Sequence, residues 1–187
     1  MIEVRPSQQM QSLGVIQQGT PILNRPAEPF DLPVERAAAQ AVIDELFTAV
    51  DRIGRVHSFA KGMGLAAPQI GIPRAAALVL PPTTGADPII LLNPKITAVS
   101  DETDEQYEGC LSFFDVRGMV PRPLRMDVTA TTLDGTITTA TYEFGLARLI
   151  AHEIDHLNGL LYTDRMRPNV HPIPVEEYRG TGSTWAY

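Results

Sequence analysis

Residues 151–159 read Ala-His-Glu-Ile-Asp-His-Leu-Asn-Gly, and the spacing inside this stretch predicts both a helix and its purpose. His152 and His156 stand four apart, so on a helix both imidazoles leave one face and reach a single ion. Glu153 lies about 100° further round, where its carboxylate meets a water on that ion without competing as a ligand. Upstream, Leu146, Leu149, Ile150, Ile154 and Leu157 recur at helical spacing, and Asn158-Gly159 supplies a stop. The pattern predicts a short, mostly buried helix over 146–157.

Two histidines are one ligand short, because a catalytic metal site usually has three protein ligands and an open fourth position. The extended protease motif would place a third histidine six residues after His156. Gly159 fits that motif, but the last position is Tyr162. A downstream glutamate, Glu176 or Glu177, would need a helix to present it, and Pro168, Pro172 and Pro174 oppose one. Cys110 is the single cysteine. Its thiolate is a strong ligand for zinc or iron, and a buried inert thiol is the competing reading.

Working outward, Met126–Leu133 and Thr136–Phe144 flank Asp134-Gly135, a turn pair suited to a hairpin. Ala75–Leu80 reads as a buried strand, and Ile89–Leu92 and Ile96–Val99 as short strands split by Asn93-Pro94. The Gly- and Pro-rich segment from Gly62 to Pro73 reads as a loop. Asp31 as cap, Pro33 in a first turn, and Val34, Ala38, Val42, Leu46, Ala49 and Ile53 predict an amphipathic helix ending near Gly54. Residues 1–30 read as an N-terminal arm over the domain, and 168–187 as an extended C-terminal tail. One domain spanning 1–187 is expected.

Hydrophobic residues make up 44% of the 187, enough for one core. The net charge of −7 disfavours direct nucleic-acid binding, which needs a cationic surface. There is no run of about eighteen apolar residues, and MIEVRPSQQM lacks the order of a secretory signal, so no membrane association and a cytoplasmic location are expected. One cysteine excludes an intramolecular disulfide. His57 and His171 are expected at the surface.

Three segments, in order, resemble the signature blocks of the peptide deformylase family: Gly62-Met63-Gly64-Leu65-Ala66-Ala67-Pro68-Gln69-Ile70-Gly71, Glu108-Gly109-Cys110-Leu111-Ser112 and His152-Glu153-Ile154-Asp155-His156. Leu92-Asn93-Pro94, Val120-Pro121-Arg122 and Tyr162-Thr163-Asp164-Arg165-Met166 look like that family too. The resemblance covers roughly residues 20–167 and makes Cys110 the third ligand beside His152 and His156. It implies an α+β fold with antiparallel sheets around the metal-binding helix. It implies removal of the formyl group from the N-terminal formylmethionine of new proteins, using one divalent ion: iron(II) natively, with zinc, nickel or cobalt able to replace it.

On this resemblance Glu153 is the acid and base, while Gln69 and the backbone N–H of Leu111 stabilise the oxyanion. Gly64 and Gly109 would let a peptide backbone approach, Met63, with Leu65 and Leu149, would wall a pocket for the methionine side chain, and Arg117 would lie near the substrate backbone. Three positions depart from the family: Phe113-Phe114 replace a small β-branched residue and proline, and Ala151 replaces a common glutamine. Nascent formylmethionyl peptides are the implied partners. The tail does not resemble the helix proposed to dock some members on the ribosome, which leaves at most a transient ribosome contact.

Overall fold

The computed structural model describes residues 5–83 and 85–180. In chain order the elements are α1 (Pro6–Ser12), α2 (Arg36–Gly54), β1 (Met63–Ala66), β2 (Ala76–Leu80), β3 (Ile89–Leu92), β4 (Lys95–Val99) and β5 (Thr103–Cys110). There follow β6 (Phe113–Pro123), β7 (Arg125–Thr131), β8 (Ile137–Glu143), α3 (Phe144–Leu157), β9 (Ile173–Pro174) and α4 (Val175–Gly180). The strands form three antiparallel sheets, ordered β1-β2-β3, β4-β7-β8 and β5-β6-β9. All three border α3, which touches β1, β2, β6, β7 and β8, so the expected α+β fold around a central helix is the fold observed.

The face of α3 opposite its histidines explains that central place. Ala147, Ile150, Ala151, Ile154 and Leu157 pack against Ala66, Ala77, Val79, Leu91, Met126 and Val128 from the first two sheets. Each fully buried Ile or Leu contributes about 1.5–3 kcal/mol. The helix ends as its sequence predicts: Gly159 is left-handed at φ 74°, and a Cβ there would lie 2.7 Å from the Arg25 backbone. Among the described residues no helix is long and apolar enough to cross a membrane.

Several expectations need correction. Helix α2 begins at Arg36, not near Asp31, and its buried face is Ala39, Val42, Ile43, Leu46, Ala49, Val50 and Ile53, while Val34 is 80% exposed. Glu35 accounts for the delay: its side chain accepts the Asp31 N–H at 2.7 Å and a bond from Arg74 at 2.8 Å, closing a turn before the helix. The Gly62–Pro73 segment is not a loop throughout, because Met63–Ala66 pairs with β2 from Met63↔Leu80 to Ala66↔Ala77. The hairpin between β7 and β8 is present, but its turn has three residues: Thr132 N–H reaches Thr136 O, Gly135 N–H reaches Thr132 O, and Gly135 takes the left-handed position.

Residues 5–30 include α1 and a 3₁₀ turn at Pro21–Asn24, with Met10, Val15 and Leu23 buried. Three carbonyls of the site loops are held by this segment: Ile16 N–H donates to Gln69 O, Gln18 N–H to Ser112 O, and the Gln17 side chain to Leu111 O. In the tail, β9 pairs with β6 and leads into the short α4. The rest of the arm and tail, residues 1–4 and 181–187, lie outside the described residues.

Candidate functional site

The third sheet carries Cys110 to the helix. Alternation along β5 turns Glu108 and Cys110 to the same side, and a register shift after Glu108↔Gly118 sets Cys110 opposite Phe113. There its Sγ lies 3.1 Å from His156 Nε2. Ligand atoms of Cys110, His152 and His156 all fall within 4.8 Å of one another, and all three residues are buried. Burial pushes the Cys110 thiol up, but the His156 and His152 imidazoles beside it hold it well below the ordinary thiol range. Burial likewise pulls His152 down, and Cys110 and Glu108 raise it well above the usual histidine range. A thiolate with two imidazoles suits a divalent transition metal such as iron(II) or zinc, so the donor set fits the ion implied by the sequence.

Glu153 shares the floor of the same cleft, buried, with its Oε2 lacking any hydrogen-bond partner among the described residues. Burial in the first place pushes its carboxyl up to about 7. Gln69 is fixed at both ends: its Oε1 accepts the Ala66 N–H at 2.9 Å, and its Nε2 donates to Ser112 Oγ at 3.1 Å and towards Cys110 Sγ at 3.5 Å. Leu111 lines the cleft immediately after the cysteine. The cavity volume is about 200 Å³.

The glycines serve these side chains directly. A Cβ on Gly64 would collide with the Glu153 carboxylate, and one on Gly109 would come within 2.5 Å of Arg117 Nε. Arg117 is tied by Nη1 to the carbonyls of Phe114 (2.9 Å) and Val116 (2.8 Å). Met63 lines the cleft and also packs in the core with Leu65. Tyr162, which stands where a protease would place a third histidine, stacks its ring on His152 with centroids 6.1 Å apart. His57 is not a plain surface residue: it is half-buried, stacks on Phe59 and lines the cleft.

Sequence reasoning gave no role to the buried charge network behind the histidines. Glu108 Oε2 accepts from His152 Nδ1 at 3.0 Å, which leaves the other ring nitrogen of His152 for a metal. The same carboxylate takes bonds from Arg122 Nε and Nη2, both 2.9 Å, and from Arg148 Nη1, 2.7 Å. Arg122 continues to Asp155 at 2.6 Å, Arg165 also grips Asp155, and Arg148 reaches Asp104 at 2.7 Å. Burial pushes the Glu108 carboxyl up, yet Arg122 and His152 hold it far below the usual carboxylate range. One signal was present in the sequence: Arg148, His152 and His156 share an i, i+4, i+8 stripe, so an arginine stands on the metal face of a buried helix.

Comparisons with known proteins agree with this fold. A family model described as polypeptide deformylase matches residues 12–171. Peptide deformylase 2 of Nostoc sp. is 34% identical over 174 residues, spanning 89% of this chain and 93% of the relative. Peptide deformylase 2 of Geobacillus stearothermophilus is 38% identical over 165 residues, spanning 82% and 89%. Among solved structures, a class I type b peptide deformylase from Acinetobacter baumannii superposes with a TM-score of 0.71 at 30% identity, covering 81% of this chain and 97% of that one. Peptide deformylase from Thermotoga maritima gives 0.69 at 30%, covering 82% and 97%.

Proposed function

The chain belongs to the peptide deformylase family, metallo-hydrolases that remove the N-formyl group from nascent peptides, and from that premise we propose that Cys110, His152 and His156 hold its metal while Glu153 moves the proton. The observation that carries this assignment is the buried Glu153 carboxylate, whose Oε2 has no hydrogen-bond partner among the described residues, in the cleft lined by Cys110 and His152. A divalent ion held by these three residues would ease deprotonation of a water and draw electron density from the formyl carbonyl. Glu153, with its carboxyl near the working pH, takes the proton as water oxygen bonds to the formyl carbon. It returns that proton to the peptide nitrogen as the C–N bond breaks, giving a free amine and formate.

Gln69 and the Leu111 N–H act on the charge that builds on the formyl oxygen. Gln69 is oriented for this by its bonds to Ala66 and Ser112, so it needs no reorganisation during reaction. Met63 and Leu149 wall the space for the methionine side chain, and Arg117, beside Gly109, faces the peptide backbone. Iron(II) is the native ion in this reading, with zinc, nickel or cobalt able to take its place. The enzyme acts in the cytoplasm, where formylated chains emerge, with no more than a transient contact to the ribosome.

The decisive measurement is anaerobic formate release from a formyl-methionyl peptide by iron-loaded protein, beside acetylated and unblocked peptides. Formate from the formylated peptide alone is expected. A rate no higher than that of the metal-free control would overturn the assignment.

A further inference from the structure

The two groups assigned to the formyl oxygen stand in different sheets. Gln69 belongs to the 3₁₀ turn that follows β1 in the first sheet, and Leu111 to the turn between β5 and β6 in the third. Two donors serve one developing charge only at a set separation, so one turn must be fixed against the other. At the site itself they are tied through Gln69 Nε2 and Ser112 Oγ, 3.1 Å apart.

A second tie comes from three consecutive residues near the N-terminus. Ile16 N–H donates to Gln69 O at 2.7 Å, Gln18 N–H donates to Ser112 O at 2.8 Å, and between them Gln17 Nε2 donates to Leu111 O at 3.3 Å. Gln17 is braced in turn: its Nε2 also donates to Val15 O at 3.0 Å, and its carbonyl accepts from the N–H and the hydroxyl of Thr20. The stretch is anchored on both flanks of α1, where Ser7 N–H reaches Asp115 on β6 at 2.9 Å and Met10 and Val15 are buried in the same core as Leu111. Ile16, Gln17 and Gln18 do not themselves line the cleft, so they act on it through the two turns.

We propose that residues 16–18 form a clamp that holds the Gln69 and Leu111 turns at the spacing the formyl oxygen requires, with Gln17 as a positioning residue. The proposal rests on the deformylase reading and adds to it the part of the chain that sets its oxyanion donors. The Leu111 carbonyl and N–H flank one Cα, so the hold of Gln17 on the carbonyl restrains where the N–H sits relative to Gln69. Removing a whole oxyanion donor costs about 10²–10³ in kcat, and a donor kept but displaced costs about tenfold. The loss falls on kcat and not on KM, because the charge develops only in the transition state.

The test is formate release from formyl-Met-Ala-Ala by the metal-loaded full chain, with each rate normalised to metal content. Gln17→Met keeps the length of the side chain without its N–H donor, and Gln17→Ala removes both. Each is expected to lose about tenfold in kcat with KM within about twofold of wild type. In a Gln69→Ala background the oxygen follows the one donor that remains, and Gln17→Met is expected to cost less than about twofold. A merely structural role would lower kcat alike in both backgrounds, and that result overturns the clamp, as does wild-type kcat in both Gln17 variants. Deuterium exchange on the wild type needs no variant to fold: the Ile16 and Gln18 amides are expected to exchange more than about tenfold slower than in an open peptide, and faster exchange overturns the clamp. No formate from wild type overturns the deformylase reading along with the clamp, whereas wild-type turnover that the Gln17 variants keep overturns the clamp alone.

Discussion

At the inner end of the cleft, Glu108 is bound at once by Arg122, Arg148 and His152, and Gln69 is bonded through both its oxygen and its nitrogen. At the outer end, His57, Phe59, Phe114, Tyr107 and Tyr178 meet through ring contacts, whose geometry tolerates small shifts. Reaction chemistry needs groups held within fractions of an ångström, and buried charge-assisted bonds provide that. Recognition of varied chains needs surfaces that adapt. A break at the inner end should therefore cost the reaction or the fold, and one at the outer end should leave metal content and the proton-moving groups intact.

The largest expected effect separates ligand from base. Cys110→Ala should lose the metal, because two imidazoles leave the site a ligand short. Glu153→Gln should keep the metal and lose about a thousandfold or more in kcat, since general acid–base catalysis alone contributes about 10²–10⁴. Metal analysis of the purified variants beside single-turnover formate release checks both. Full metal content in Cys110→Ala would remove the thiolate from the ligand set, and near-wild-type turnover in Glu153→Gln would move the proton elsewhere.

Next in size is Glu108→Gln, which keeps the shape but leaves Arg122 and Arg148 buried without the carboxylate they share. Breaking a buried ion pair from one side costs about 3–5 kcal/mol. The variant should show a much lower urea midpoint, together with weaker metal retention because His152 loses its orienting partner. An unchanged midpoint would mean that the network is not holding the inner end. Phe59→Ala at the outer end gives the contrast, with metal content preserved.

What the sequence disclosed follows the same division. The helix carrying His152, Glu153 and His156 was legible because i, i+4 spacing and an apolar stripe coincide, and Gly159 ends it where expected. Strand β1 was misread as a loop because Gly64 interrupts it, and that glycine is there to clear the Glu153 carboxylate. Strand β5 was not recognised because its acids break any apolar pattern, and the partners that bury them lie far off in sequence: Asp104 and Glu108 receive Arg148, and Glu108 also receives Arg122. Local rules failed where residues are spent on the site. The outer wall was hidden for another reason: Tyr107 and Tyr178 are far apart in sequence, and no periodic pattern links them before β9 pairs with β6.

The smallest predicted effect concerns pH and needs protein stripped of metal. Burial raises the folded Glu153 carboxyl to about 7 from an ordinary 4.5, so its share of stability is complete below 4.5 and is lost as pH rises through 7. In that window the unfolded chain gives up the proton while the folded chain keeps it, so rising pH favours unfolding. Glutamine at this position cannot ionise and escapes that loss. The melting temperature of metal-free Glu153→Gln should therefore gain on metal-free wild type between pH 5 and pH 8, by several degrees, corresponding to roughly 1–3 kcal/mol. Tyr178→Phe, a change at the outer end, should show no such pH-dependent gap. A constant difference between Glu153→Gln and wild type across that range would mean that the inner carboxylate is already ionised in the folded chain, and that the burial of Glu153 does not set its proton affinity.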